Sequence, residues 1–527
     1  MNHPNTLTFR WAISCVLTGL LLLLTGLVQA QRPNILIYIA DDISYPHLSA
    51  YGCEWVHTPA FDRIAQEGLL FNRAYTPNAK CAPSRACFLT GRNSWQLEEA
   101  MNHFPYFPAK FQTFMEALGD QGYLTGHTGK GWAPGDPGTK DGKRRQLTGP
   151  DFNKIRLDPP TSGISHVDYA GNFEVFLETR EGETPFCFWY GSNEPHRSYE
   201  FQSGVEIGGK KLSQVDRVPG YWPDNDTIRH DILDYAYEIE YADGHFGKMI
   251  EILEARGELD NTLIIAVADH GMPFPRVKGQ AYEFSNHIPL AIRWPKQIQQ
   301  PGTVVDEFVS IIDLAPTIMA AAGVRPEATD MEPMTGQGLI RFMQDSKAQS
   351  VRDFQLICKE RHDTGRPHDW GYPIRGIIRD SLLYIFNFEP TRWPQGNPEV
   401  GYLNCDGSPT KTWLINHYLD GTLGEYWTLN LGKRPMEELY DLKKDPDCLH
   451  NLAEIPAYQL LKLDLQAQMT TALKAEGDLR MFGRGDWWEQ QPYSGRRHHF
   501  YRRYLNGEQV KFPGWITPSD LHVIDEQ

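Results

Sequence analysis

The sequence predicts an α/β protein: a large doubly wound, mixed sheet sandwiched by helices, followed by a smaller C-terminal α+β domain. Three observations carry this. Asn34-Ile35-Leu36-Ile37-Tyr38-Ile39-Ala40 reads as a buried strand that stops abruptly at Asp41-Asp42. Leu263-Ile264-Ile265-Ala266-Val267-Ala268 repeats that grammar and stops at Asp269-His270-Gly271. Short apolar, β-branched runs of this kind alternate with helical patterns over the N-terminal two thirds, as in parallel sheets with crossover helices.

Taken in order, the chain begins with an apolar run from Trp11 to Val28, preceded by Arg10 and followed by Gln29-Ala30-Gln31. This pattern is that of a secretory signal peptide (1–30) cut after Ala30. The competing reading is a membrane anchor, but the small-residue site ends the run, and no later segment is apolar and long enough for a stable membrane span. The mature protein is therefore expected in the periplasm or secreted. Phe186-Cys187-Phe188-Trp189-Tyr190 is a further strand, leading into Gly191-Ser192-Asn193-Glu194-Pro195-His196. Ile232, Tyr235, Ile239, Phe246, Met249, Ile250 and Leu253 keep an apolar stripe and predict a helix over 230–256. Another helix is predicted from Leu314 to Ala322, before Gly323.

Past residue 350 the texture changes. Trp, Tyr, Pro and Gly become denser and the strands shorter, as in Ile377-Ile378-Arg379 and Leu382-Leu383-Tyr384-Ile385-Phe386, with a helix near 456–476. The expected organisation is a catalytic domain over 31–350, an α+β subdomain over 351–480 and a loop-rich tail over 481–527.

Composition bounds the partners. The chain has 527 residues, 51 Lys+Arg and 67 Asp+Glu, a formal charge of −16, and Arg10 is the one charged residue of the first 30. No nucleic-acid partner is expected from that balance. Of eight cysteines, Cys15 lies in the apolar run; if one more serves chemistry, Cys53, Cys87, Cys187, Cys358, Cys405 and Cys448 remain. An exported protein can pair some of these, and no spacing suggests a zinc site.

In open α/β sheets, ligands sit beyond the carboxyl ends of the strands. A lone Asp-Asp after a strand is ordinarily a turn or a helix cap. Two acidic strand ends in one sheet point further, because carboxylates brought together repel, and a divalent cation with oxygen ligands relieves the repulsion. His270 can add a nitrogen ligand or bind substrate. Cys81-Ala82-Pro83-Ser84-Arg85-Ala86-Cys87-Phe88-Leu89-Thr90-Gly91-Arg92 reads as a loop entering a short helix, with Pro83 early and Gly91 as its stop. Cys81 then stands at a helix N-terminus, which favours an anion. The other reading is a buried structural cysteine, and spacing alone does not separate the two.

Cys81-x-Pro83-Ser84-Arg85 with Leu89-Thr90-Gly91-Arg92 resembles the signature of type I sulfatases, in the alkaline phosphatase superfamily. Asp41-Asp42 and Asp269-His270-Gly271 resemble the family's metal motifs. Val309 to Thr317, Glu438 to Leu442, Asp445-Pro446 and Asn451-Leu452 resemble later landmarks, so the likeness runs from about residue 32 to 460. It implies an alkaline phosphatase-like fold and oxidation of Cys81 by a formylglycine-generating or sulfatase-maturating enzyme to 3-oxoalanine (formylglycine). It also implies one Ca²⁺ held by Asp41, Asp42, modified Cys81, Asp269 and His270, the last standing where many members have Asn. By the same resemblance Arg85 holds the aldehyde hydrate, Lys130 bridges nucleophile and sulfate, His196 contacts sulfate and can protonate the leaving group, and Lys278 is a second sulfate-binding cation. One position departs: the family commonly has Gly-Lys-x-His, and residue 132 is Trp, which shifts acid/base duty to His196 or His127.

Pro195-His196-Arg197, Pro273-Phe274-Pro275 before a basic residue, and Arg361-His362-Asp363 with Gly371-Tyr372-Pro373-Ile374-Arg375 resemble the heparan N-sulfatase branch and its bacterial polysaccharide-sulfatase relatives. Arg361, His362 and Arg375 are the candidate substrate-recognition groups, with structural salt bridging as the other reading of each. The resemblance implies sulfatase activity on a sulfated carbohydrate, with Trp132 favouring an O-sulfate. The alternatives are a sulfamidase acting on N-sulfoglucosamine, a phosphoester or phosphonate hydrolase on the same fold, and an inactive exported saccharide-binding protein.

Overall fold

The structure, a computed structural model, describes residues 32–345 and 347–524. The signal-peptide segment lies outside the described residues. Eight strands form the main sheet: β1 Asn34–Ala40, β2 Leu69–Tyr75, β3 Leu124–Gly129, β4 Phe186–Gly191, β5 Thr262–Ala268, β6 His287–Arg293, β7 Thr303–Val305 and β8 Val309–Ser310. Their order is β8-β2-β6-β5-β1-β4-β3, with β7 also on β2. β6 runs antiparallel to β2 and β5, and the remaining pairs are parallel, so the sheet is mixed as expected.

Strand β1 shows why both faces are covered. Ile35, Ile37 and Ile39 face one core, with Phe88 and Leu89 of helix α2 (Cys81–Thr90). Leu36, Tyr38 and Ala40 face the other, with Ile239, Phe246 and Met249 of helix α3 (Asp226–Ala255). A continuous apolar run is what a strand buried on both sides requires. Each fully buried Ile contributes about 1.5–3 kcal/mol over its exposed state. Helix α3 starts earlier than its apolar stripe suggests, because the Asn225 side chain accepts from the Ile228 N–H at 3.1 Å and caps it. Helix α4 (Leu314–Ala321) follows the predicted span closely.

Beyond residue 350 a second, antiparallel sheet forms from β9 Phe354–Lys359, β10 Ile374–Arg379, β11 Leu382–Asn387 and β12 Glu437–Asp441, in that order. Helix α5 (Gln459–Ala475) covers one face through Leu465, Met469 and Leu473. The other face packs through Ile357, Ile374 and Ile378 against Tyr75, Tyr282 and Phe308 of the first region. Strand β9 is anchored to the loop before Cys81, with the Cys358 N–H donating to the Pro77 carbonyl at 2.7 Å.

All seven described cysteines are unpaired, so no cross-link supports this fold; buried thiols such as Cys187, 3.3 Å from the Met115 sulfur, serve as core filling. The tail is also no free appendage. Trp488 is buried in the core of the second sheet, and the Trp515 indole N–H donates to the Leu403 carbonyl at 3.1 Å. Among the described residues, no helix is long and apolar enough to cross a membrane.

Candidate active site

Four adjacent parallel strands deliver their ends to one place. In sheet order, β5 leads into Asp269 and His270, β1 into Asp41 and Asp42, β4 into the loop with His196, and β3 into Lys130. Helix α2 points its first residue, Cys81, at the same spot. Only glycine fits at two supports of this convergence. A Cβ at Gly271 would lie 1.8 Å from the Phe284 carbonyl, and one at Gly191 would lie 1.9 Å from the carbonyl of Lys130. Asp42 takes a left-handed φ of 83°, a conformation that Asp tolerates better than most side chains.

Donor atoms of Asp41, Asp42, Cys81 and His270 all lie within 4.8 Å of one another, and all four side chains are buried. His270 Nε2 is 3.1 Å from Asp42 Oδ1 and 3.3 Å from Cys81 Sγ, while its Nδ1 hydrogen-bonds the Gly271 carbonyl at 3.0 Å. That bond assigns the proton to Nδ1 and leaves Nε2 bare as a ligand. Asp41 Oδ1 and Asp42 Oδ1 are buried acceptors without a hydrogen-bond partner. A divalent cation fits these orphaned oxygens. Asp269, also expected among the ligands, lies beside this group with Oδ1 3.8 Å from His270 Nε2; that oxygen accepts the Asp42 N–H at 3.1 Å, and Oδ2 accepts from Arg85 Nε at 2.9 Å.

The surrounding cations are bound to the carboxylates. Lys130 Nζ lies 2.5 Å from Asp41 Oδ2, and Lys278 Nζ bridges Asp42 at 2.7 Å and Asp406 at 2.8 Å. Burial would raise the Asp41 carboxyl, but Lys130 and then Arg85 outweigh it and hold Asp41 well below the usual range. Burial likewise works against the Lys278 ammonium, yet Asp406 and Asp42 raise it well above an ordinary lysine, so it stays charged. Counted formally, four carboxylates (Asp41, Asp42, Asp269, Asp406) face three cations (Arg85, Lys130, Lys278), a sum of −1. A divalent cation reverses that sign to +1, which an anionic ester needs on arrival. Burial pushes the Cys81 thiol up to about 12, so unmodified Cys81 is a weak nucleophile at neutral pH.

Above these groups opens a cavity of about 740 Å³, counting the part open to solvent; it is lined by Cys81, Lys130, His196 and Lys278. Lys80, His103, Asn404, Asp406, Tyr493, Arg497 and Trp515 also line it, and the sequence reading named none of them. Lys80 was findable as the neighbour of Cys81; the others sit in loops without periodic signal. Four Lys or Arg lie along this lining against Asp363 and Asp406, the local concentration of positive charge that a strongly acidic chain needs to draw in an anion. His196 Nδ1 hydrogen-bonds the Arg197 carbonyl at 2.6 Å, and burial, with Lys278 next, lowers its pKa, so the ring enters catalysis neutral.

Of the three recognition candidates, His362 lines the cavity, with Nε2 2.9 Å from Asn78 Oδ1. Arg361 and Arg375 are corrected to structural roles. Arg361 donates to the carbonyls of Gln491 and Pro492 at 2.7 and 3.1 Å, stapling the tail. Arg375 is buried between Glu360 at 2.9 Å and Asp478 at 2.6 Å. His127 is turned to the Gly149 carbonyl at 2.9 Å and does not line the cavity, which leaves His196 as the acid/base candidate. Trp132 is buried, and its indole N–H donates to the Ala82 carbonyl at 3.0 Å, bracing the first turn of α2.

A pocket that sets orphaned carboxylate oxygens beside paired lysines suits hydrolysis of a small anionic ester. The chain belongs to the sulfatase family, whose model matches residues 33–324. It is 27% identical over 457 residues to an ulvan-active sulfatase of Formosa agariphila, covering 85% of this chain and 82% of that protein. It is 26% identical over 475 residues to human N-sulphoglucosamine sulphohydrolase, covering 84% and 90%. A solved structure of a protein with its substrate D-glucosamine-2-N,6-O-disulfate superposes with a TM-score of 0.61 at 20% identity, covering 85% of this chain and 99% of that one. The protein is a sulfuric ester hydrolase with an alkaline phosphatase-like fold.

Proposed function

We propose that this sulfatase removes sulfate from a sulfated carbohydrate, as its relatives' names and the lysines, histidines and Asn404 in the cavity lining suggest. The observation that carries the reading is Cys81 at the N-terminus of α2, beside the Asp41–Asp42–His270 group and at the floor of the cavity. Cys81 is expected as formylglycine, made by a maturation enzyme in an exported protein that has lost residues 1–30. When hydrated, that group supplies one hydroxyl to attack sulfur and a second whose deprotonation expels sulfate. Ca²⁺ suits the oxygen-rich set and, when bound, neutralises sulfate oxygens.

The chain's own residues do the rest. Lys130 and Lys278 hold the sulfate oxygens, and Arg85, fixed by Asp269, donates to the Lys130 and Gly131 carbonyls at 2.7 and 3.0 Å and so sets the Lys130 loop. His196 lines the same cavity, and with Nδ1 bonded to the Arg197 carbonyl its Nε2 is the atom assigned to protonate the leaving oxygen. Because its pKa is lowered in the free protein, it acquires its proton together with the anionic substrate. Lys278 also argues for a single metal: its ammonium neutralises Asp42 and Asp406, the pair that with His196 forms the other potential metal group. A two-metal phosphoester hydrolase would need that place free. An N-sulfate leaving group is the second reading, favoured by the human relative.

The test is mass spectrometry of the natively produced protein followed by a sulfate-release screen. Conversion of Cys81 removes about 18 Da. That loss with sulfate release supports the proposal; an intact Cys81 thiol without release overturns it and favours a saccharide-binding protein.

A further inference from the structure

One wall of the cavity carries polar atoms that have no hydrogen-bond partner within the fold. His103 Nε2, Asp363 Oδ2, and both Oδ1 and Nδ2 of Asn404 lack a hydrogen-bond partner, although these residues are only 8%, 7% and 1% exposed and all line the cavity. Roughly nine in ten buried polar groups find a partner within a folded protein. Several orphans on one wall of a cavity are acceptors and donors set out for a ligand's hydroxyls.

Arg497 stands at the same wall. Its guanidinium lies 5.1 Å from the Phe104 ring centre and 4.5 Å from that of Trp515, and its Nε is unpartnered. One NH₂ reaches the Tyr493 hydroxyl at 3.4 Å, and among the described residues it forms no ion pair. Lys130 and Lys278 are matched to carboxylates; Arg497, like the buried Lys80 of the same lining, is not. A half-buried guanidinium close to two aromatic rings is costly to leave uncompensated and is shaped for a carboxylate or sulfate. The tail around it is basic in an acidic chain: residues 494–511 hold Arg496, Arg497, Arg502, Arg503 and Lys511 against Glu508.

We infer that this wall is a saccharide subsite in which Arg497 reads a second anionic group, a carboxylate or a sulfate, carried near the scissile sulfate. The inference rests on the carbohydrate reading above and narrows it to saccharides with more than one negative charge.

The test uses the mature full-length enzyme and four substrates. Three are a sulfated disaccharide with a uronate, the same compound with the uronate reduced to an alcohol, and one with a second sulfate in its place. An aryl sulfate is the fourth. The wild type is expected to favour the anionic disaccharides over the neutral one by about tenfold or more in kcat/KM, mainly through KM, as a charge-assisted contact provides. Whichever anionic arm shows the larger preference identifies the group. Arg497→Met keeps the stem on the aromatic rings but removes the charge, and should bring the ratio near one. Arg497→Lys should keep part of it. A wild type without preference, or a preference unchanged in Arg497→Met, overturns the inference while aryl sulfate turnover leaves the sulfatase reading standing. No sulfate release from any of the four overturns both.

Discussion

The two ends of the cavity are built on opposite plans. At the inner end Lys130 is tied to Asp41, Lys278 to Asp42 and Asp406, and Arg85 to Asp269. The atoms there without a hydrogen-bond partner include Asp41 Oδ1 and Asp42 Oδ1, the two oxygens set for a cation, and one NH₂ of Arg85. At the outer end Asn404, His103, Asp363 and Arg497 keep unpaired atoms and come from loops and the tail. The difference separates two tasks. Charge stabilisation works when dipoles and ions are fixed before the reaction, so the inner end is held by strand ends and ion pairs. Recognition needs groups whose partner is the ligand itself, and loops on a rigid scaffold supply them.

The largest effect that would break this division comes from Lys278→Ala. The change removes a charged sulfate contact and leaves Asp42 and Asp406 facing each other without their shared ammonium. Sulfate release should fall on the order of 10³-fold, in the range of losing one preorganised electrostatic contact, and mainly in kcat. A loss confined to KM would place Lys278 with the outer wall. Added divalent metal should rescue little turnover, since the ammonium and not a second ion organises that pair.

The same two ends differ in how far they were legible. Asp41-Asp42, Cys81 and Asp269-His270 are adjacent to strands or a helix whose apolar patterns are unmistakable, so order along the chain converted directly into position beyond the sheet. The main sheet and the helix expected over 230–256 followed from that logic, whereas Lys130, His196 and Lys278 came from the family resemblance. The outer wall did not follow. Asp406 and Asn404 lie in an aromatic-rich loop, and Arg497 and Trp515 in a tail that periodicity marks only as irregular; their meeting at the cavity is decided by long-range contacts such as Trp515 to Leu403 and the stapling by Arg361. Arg361 and Arg375 show the converse error, since a basic residue near a motif looks the same in sequence whether it meets substrate or a buried carboxylate.

Arg375→Met sharpens the boundary from the structural side. The guanidinium is fully buried between Glu360 and Asp478, and Glu360 is also held by Arg480 at 2.6 Å. Removing Arg375 leaves Asp478 as the less compensated charge, so stability should fall by about 3 kcal/mol or more in chemical denaturation. Sulfate release per folded molecule should stay at the wild-type value. A raised KM for saccharides with unchanged stability would return Arg375 to substrate recognition.

The smallest expected effect is the one that tests the departure from the family pattern. Trp132 stands where His is common, yet it does not line the cavity; its N–H braces the Ala82 carbonyl, and its ring meets Phe107 edge-on at 5.1 Å. Trp132→Phe keeps an aromatic ring and deletes the donor. The loss of one neutral hydrogen bond should cost about 1 kcal/mol of stability. Had Trp132 inherited a proton-transfer duty, turnover would drop by roughly 10² or more. With the indole serving as a brace for the helix that carries Cys81, the change in sulfate release should instead stay within about threefold, well below that acid/base range. Acid/base work is then assigned by proposal to His196, which lines the cavity with Lys278.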